Sequence, residues 1–382
     1  MILTERSFTV RYYQDGDEDQ LVPLLVLIFE DWPRFDLRCT KKEHWKWKLK
    51  DTPTNIESVV VAETDEGKII GISQGIFKWT KIGDEVLLTR KATEVAVHPD
   101  YRRRGVNSSI AELKDEKISE MRAVVNMNMT SNPIIINRNK RRSDEDKMPE
   151  FPKPIKQLVK IEKMGRYLKY LSKDKEHSRI RRFSIFTGYS VLSLINTVRY
   201  LFSSKPILEN DFSVLEIEKF DSRIDVFWEK IKDDYDFIDE QTSKYLNWRF
   251  CDLRGGNYKV WVASDKGENI LGYIVVRINR IDPEHPIGYI IETLSVSERE
   301  DVVNAMVKRA LNFFEDESVD AIYYTIVGGH PYQKIMEMYG FIDSRREPYV
   351  YYRVHNENEN VERFVNAEPH RLNYQFGEFD SI

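Results

Sequence analysis

The sequence predicts an α/β (α+β) protein made of two copies of one unit. Each copy is a mixed, mostly antiparallel, splayed sheet flanked by helices. Three observations predict this. The chain resembles itself at a spacing of 201 residues: His44-Trp45-Lys46-Trp47-Lys48-Leu49 lines up with Tyr245-Leu246-Asn247-Trp248-Arg249-Phe250, and Gly71 with Gly272. Strand-like and helix-like runs follow in the same order in both copies. With 382 residues, 41% hydrophobic and 32% charged, the chain has room for two ordinary globular cores.

The elements of each copy can be read in turn. An opening strand comes first, Phe8 to Tyr12 and Ser213 to Ile217. Helical segments with a Trp-basic-apolar end follow, at Trp47 and Trp248. A hairpin comes next, its turn carrying acids and Gly: Thr64-Asp65-Glu66-Gly67-Lys68 and Ser264-Asp265-Lys266-Gly267. The central strand is Thr93 to Val97 in the first copy. A register shift of two aligns it with Glu292 to Val296. A helix leaves that strand, Val106 to Arg122 and Glu298 to Glu315. The second has Val302, Val303, Met306, Val307, Ala310, Leu311 and Phe314 at helical spacing. Further strands follow, Ala123 to Met127 and Ala321 to Ile326, and Leu158 to Ile161 is expected to close the first sheet. The predicted divisions are residues 1–165 and 211–355 for the two units, 166–210 for a basic and apolar helical linker, and 356–382 for an acidic tail. Phe364, Tyr374, Phe376 and Phe379 give that tail a reason to dock.

Bulk properties exclude several classes. Net charge is −5, which does not favour a nucleic-acid partner. Cys39 and Cys251 are the only cysteines, too few for a disulfide framework or a thiolate metal site. The seven histidines lack metal-ligand spacing, so no metal is expected. The start, Ile2-Leu3-Thr4-Glu5-Arg6, has no apolar signal core, so the expected location is cytoplasmic. Residues 138–182 carry sixteen Lys and Arg against seven Asp and Glu, as a solvated linker would. Residues 183–202 approach the length of a membrane span but include Asn196 and Arg199. A buried or interdomain helix is the favoured reading there, with peripheral membrane contact as the alternative.

The most informative stretch is Val95-Ala96-Val97-His98-Pro99-Asp100-Tyr101-Arg102-Arg103-Arg104-Gly105-Val106-Asn107. A strand ends, a basic turn follows and a helix begins. Unpaired amides and the positive end of a helix dipole favour an anion at such a point. Arginine forks suit phosphate oxygens, and Gly105 permits close approach or a positive φ. The stretch resembles the acyl-CoA-binding motif of the GNAT N-acetyltransferase superfamily, Arg/Gln-x-x-Gly-x-Gly/Ala. Arg102, Gly105 and Asn107 fall on its fixed positions, Asn107 standing where the pattern has Gly or Ala. Met338-Tyr339-Gly340-Phe341 resembles a signature found late in such domains.

That resemblance implies an acyl-CoA donor, acetyl-CoA foremost, lying beside Thr93 to Val97. Val95, Val97, Arg102, Arg103, Arg104, Gly105, Val106, Asn107 and Asn132 are its implied contacts. The reaction is then attack of an amine on a thioester, and one proton must leave the amine first. Glu94 stands where several family members place a catalytic Glu, with a salt-bridged strand Glu as the plain alternative. The Tyr that the family often uses as an acid has no counterpart after Met127. The second unit has Ser297-Glu298-Arg299-Glu300-Asp301 in place of the basic turn, so one cofactor per chain is expected. The acceptor, a small-molecule or protein amine, is not readable. Two other readings stay open. One is an aminoacyl or peptidyl transferase of envelope assembly, which also pairs two such units. The other is a non-catalytic CoA-binding or interaction protein.

Overall fold

Two seven-stranded mixed sheets, one per sequence repeat, form the frame of the computed structural model. It describes residues 7–378 apart from 31, 131–134, 138, 141–147, 174–210 and 347. The strands are β1 (Phe8–Tyr12), β2 (Val60–Thr64), β3 (Ile69–Ile82), β4 (Glu85–Val97), β5 (Val125–Thr130), β6 (Ile155–Ile161), β7 (Phe212–Ile217), β8 (Phe237–Asp239), β9 (Tyr258–Asp265), β10 (Ile270–Asn279), β11 (Ile287–Ser295), β12 (Ala321–Val327), β13 (Ile342–Asp343) and β14 (Tyr349–Val354). The helices used below are α1 (Glu18–Phe29), α2 (Lys41–Leu49), α3 (Val106–Glu120), α4 (Met164–Lys173), α5 (Arg223–Ile231), α6 (Glu300–Asp316), α7 (Pro331–Met338) and α8 (Asn360–Asn366). The expected segment 183–202 lies outside the described residues. Among those described, no helix is long and apolar enough to cross a membrane.

Sheet one runs β1-β2-β3-β4-β5-β14, with β8 also on β3; sheet two runs β13-β6-β12-β11-β10-β9-β7. The expectation that Leu158 to Ile161 closes the first sheet is therefore corrected. These residues belong to β6, which pairs antiparallel with β12 of the second sheet. The place beside β5 goes to β14 from the far end of the chain. The two units exchange their last strands, so the boundaries drawn at 165 and 355 do not separate two sheets. Neither strand carries an alternation that names its neighbour, and only pairing decides.

The repeat is a pseudo-two-fold relation in space. Trp47 and Trp248 stack with centroids 5.0 Å apart, and each indole donates to the other's backbone carbonyl, at 3.0 and 3.2 Å. Register corrects the alignment of the central strands by one residue. Gly71 pairs with Val97 and Gly272 with Ser295, which places Glu292 opposite Glu94 and Thr293 opposite Val95. A bulge precedes each glutamate, between Ser73 and Gly75 on one partner strand and between Val275 and Val276 on the other. A slip of one residue would turn every side chain to the wrong face.

Local chemistry sets the helices. A capping box, Thr40 with Glu43, opens α2. The apolar stripe of α6 buries Val302, Val303, Met306, Val307, Ala310 and Phe314. Gly71 admits α3 closely, since a Cβ there would lie 2.8 Å from Val106 and Ile110. The tail docks, with Phe364, Tyr374 and Phe376 buried in the main core, while Phe379 lies outside the described residues.

Candidate active site

The basic turn forms as its residue types dictate. β4 ends at Val97, and the His98 amide donates to Ile70 O at 2.8 Å. Arg103 and Gly105 take left-handed φ of 63° and 82°. Gly105 is the N-cap of α3, with no side-chain cap, and the first helical bond runs from the Ser109 amide to Gly105 O. The amides of Val106, Asn107 and Ser108 therefore have no carbonyl within the helix. Arg102, Arg103, Arg104 and Asn107 are exposed, while Val106 is buried beneath the helix start. Arg104 packs over the Tyr101 ring at 5.3 Å. Asn107 lies inside the helix, one residue past its start.

Beside this turn the sheet opens. β4 and β5 run parallel but pair only from Thr89↔Val125 to Lys91↔Met127. Beyond that they diverge, and the stretch of β4 from Ala92 to Val97 loses its neighbour on that side. Val95 is 41% exposed there. Asn132 lies outside the described residues.

Glu94 differs from the expected free base. Its carboxylate accepts from Trp32 Nε1 at 2.7 Å, Lys48 Nζ at 2.8 Å and Gln74 Nε2 at 2.6 Å. Burial alone would raise its pKa. Lys48 and the other two donors outweigh that and hold it down at about 2. A carboxylate so placed is a weak base, and the salt-bridged alternative describes its surroundings. Its partners lie 20 to 62 positions away in the chain, so no local pattern announces them.

The second unit has the same split with different contents. β11 and β12 pair from Ile287↔Ala321 to Ile290↔Tyr324 and then part. The tail fills the gap. Gln375 accepts from the Thr293 amide and donates to Thr293 O, both at 2.9 Å, and accepts from Tyr324 Oη at 3.0 Å on the other lip. Acids Glu300 and Asp301 occupy the first turn of α6, and Arg299 binds Asp301 and Asp211. Sequence reasoning missed this plug. The tail's aromatic residues were the available signal that it docks.

Glu292, the counterpart of Glu94, lacks the counterpart of Gln74, which is Val275. It is buried, and burial pushes its carboxyl up to about 7, against weaker pulls downward from Tyr273, Lys78 and Arg249 and a push upward from Asp239. A raised carboxyl stabilises the fold in its protonated form. That contribution is complete below about pH 4.5, the ordinary value, and is lost as pH rises through about 7. The difference corresponds to about 3 kcal/mol. Urea unfolding of the parent and of Glu292→Gln, compared from pH 5 to pH 9, should show the parent losing stability relative to the variant by about that much. Parallel pH curves would show that Glu292 is already ionised at pH 5.

Between the halves, a crevice is lined by His44, Trp47, Lys48, Lys78, Trp248 and Arg249 among others. Below the first split, β8 brings Asp239 onto sheet one. Its carboxylate accepts from Lys78 at 2.9 Å, Lys91 at 2.8 Å and Thr80 at 2.8 Å, all buried.

Comparison with known proteins adds the following. The family described as Acetyltransferase (GNAT) domain matches residues 9–139. No curated protein matches the sequence. The fold is similar to a probable N-acyltransferase from Enterococcus faecalis, with TM-score 0.60, 10% identity, and 94% of this chain and 74% of that one covered. It is similar to Saccharomyces cerevisiae N-myristoyltransferase with bound myristoyl-CoA, with TM-score 0.60, 10% identity and coverage of 95% and 84%. It is also similar to a GCN5-related N-acetyltransferase from Anabaena variabilis, with TM-score 0.56, 12% identity and coverage of 91% and 73%.

Proposed function

From residues 9–139, which match the GNAT acetyltransferase domain family, we propose an acyl-CoA-dependent N-acyltransferase with its donor in the first unit. The observation that carries this reading is the uncapped start of α3 beneath an arginine turn, set at the mouth of the β4–β5 split. The second unit supports it by contrast. There the tail supplies an amide that pairs with both backbone atoms of Thr293, whose counterpart in the first unit is Val95. Val95 is thus the edge on which the donor's own amides are proposed to lie, with Val97 next to it.

Arg102, Arg103, Arg104 and the amides of Gly105 to Asn107 are assigned to the pyrophosphate. A short acyl group, with acetyl the simplest case, is assigned to the split. The amine acceptor is assigned to the crevice between the halves. Its nitrogen attacks the thioester carbon, the C–S bond breaks and the thiolate takes a proton. Glu94 is assigned to holding Lys48 and Trp32 at the split, and the amine's proton passes to water.

The test is calorimetric titration with CoA. One CoA per chain is expected. Arg104→Ala and Gly105→Glu should each weaken it, at about 1.5–3 kcal/mol for each charge-assisted bond lost. Two equivalent sites, or unchanged affinity in both variants, would contradict the assignment. Thiol release from acetyl-CoA in a screen of amines then separates an enzyme from a protein that only binds CoA.

A further inference from the structure

His44 of α2 is buried, and its side chain forms part of the wall of the crevice between the halves. Its Nδ1 lies 2.7 Å from Arg254 O. A carbonyl only accepts, so this bond assigns the ring proton to Nδ1 and leaves Nε2 as an acceptor. Nε2 is buried and has no hydrogen-bond partner. The rings of Trp32, Phe35 and Trp47 pack around it, with centroids 5.7, 5.3 and 5.3 Å away. Neither indole supplies the missing donor. Trp32 gives its N–H to Glu94 and Trp47 gives its own to Trp248 O. A buried polar atom left in this way calls for a partner from outside the chain.

The place of the ring says what that partner would be. His44 and Lys48 stand one turn apart on α2, and both line the crevice. Lys48 Nζ reaches the carboxylate of Glu94, the residue before Val95 on β4, and Trp32 reaches the same carboxylate. His44 thus stands between the crevice and the strand on which the donor is proposed to lie. Burial keeps the imidazole neutral, with its pKa down at about 4, against the upward pulls of the Arg254 carbonyl and Glu94, while Lys48 and Arg249 add to the lowering. The same surroundings disfavour an ammonium group and favour a neutral amine, whose lone pair is free to attack.

We propose that His44 Nε2 accepts a hydrogen bond from the acceptor amine in the crevice and takes its proton during transfer. This rests on the assignment of the acceptor to the crevice. The amine nitrogen bonds the thioester carbon, and its proton passes to Nε2 as the nitrogen becomes cationic. The C–S bond breaks and the thiolate leaves with the electron pair. The imidazolium gives its proton to water and the thiolate takes one from water. His44 ends neutral, and CoA ends as the thiol.

Thiol release by the full chain from saturating acetyl-CoA, with aniline or methylamine as acceptor, tests this. His44→Asn keeps a donor for Arg254 O and lacks Nε2. It should bind CoA like the parent and release thiol about 10²–10⁴-fold more slowly. His44→Ala should be as slow and should recover when imidazole is added, which a packing role would not produce. A His44→Asn variant with parental turnover, or a His44→Ala variant that imidazole does not revive, overturns the inference. Nitrogen NMR of the parent with isotope-labelled histidine decides even if the variants fail to fold or neither amine is turned over. Nε2 should appear unprotonated at neutral pH, and its resonance should shift when either amine is added to the CoA complex. A protonated Nε2, or no response to both amines, overturns it too. Turnover that survives His44→Asn leaves the acyltransferase reading standing, whereas a parent that binds no CoA removes both.

Discussion

A fragment ending at Lys173 is expected to lose cooperative unfolding and to bind CoA at least about tenfold more weakly than the full chain, because affinity scales with the fraction of molecules in the competent fold. The fragment contains the whole basic turn. It lacks β14, which covers β5 along six register pairs from Tyr349↔Thr130 to Val354↔Val125. It lacks β8 and its Asp239, on which Lys78 and Lys91 depend. It also frees β6, whose seven partners on β12 are gone. An unpaired β5 edge and a sheet face stripped of the Tyr245, Phe237 and Tyr374 rings that cover Lys78 and Lys91 are each hard to tolerate. Far-UV circular dichroism through a urea gradient, with CoA calorimetry alongside, checks the outcome. A fragment that melts in one sharp transition and binds CoA like the full chain would show the strand exchange to be dispensable.

Asp239→Ala in the full chain should cost about 3–5 kcal/mol, the usual consequence of stranding a buried charge. Two ammonium groups, both buried, share this one carboxylate. Lys78 and Lys91 hold its pKa down at about 2 against the upward push of burial. Its stabilisation is therefore full above the ordinary Asp range and fades only as pH falls through about 2. The titration of Asp239 itself thus adds no difference between pH 6 and pH 8, and a loss that narrows at pH 8 reports Glu292, which Asp239 pushes upward. Urea unfolding at those two values measures the loss, and a loss below 1 kcal/mol at both would mean that water or another acid replaces the carboxylate.

How much of this was legible depends on distance along the chain. The basic turn from Arg102 to Asn107 was readable because its geometry rests on neighbours: a positive φ at Gly105 and a helix starting one residue later. The repeat was readable because Trp47 and Trp248 sit 201 positions apart within matching strings. The alignment of the central strands was off by one residue. A bulge adds a residue that the eye counts as alternation, and only the hydrogen-bond register shows that Glu94 matches Glu292. The base role expected of Glu94 rested on its place in the strand. Its surroundings come from Trp32, Lys48 and Gln74, none of them adjacent in sequence.

The sequence by itself determined the fold class, the two-fold repetition, the placement of the basic turn in the first unit and its replacement by acids in the second. These are properties of short segments, set by backbone preference, side-chain period and local charge. Only the tertiary structure decided which sheet receives β6 and β14, what fills the second split, and which buried charges have partners. Those outcomes depend on which distant segment reaches an edge or a cavity. Gln375 is an unremarked polar residue in the sequence, and it becomes the plug of a split only where Thr293 and Tyr324 meet it across 82 and 51 positions.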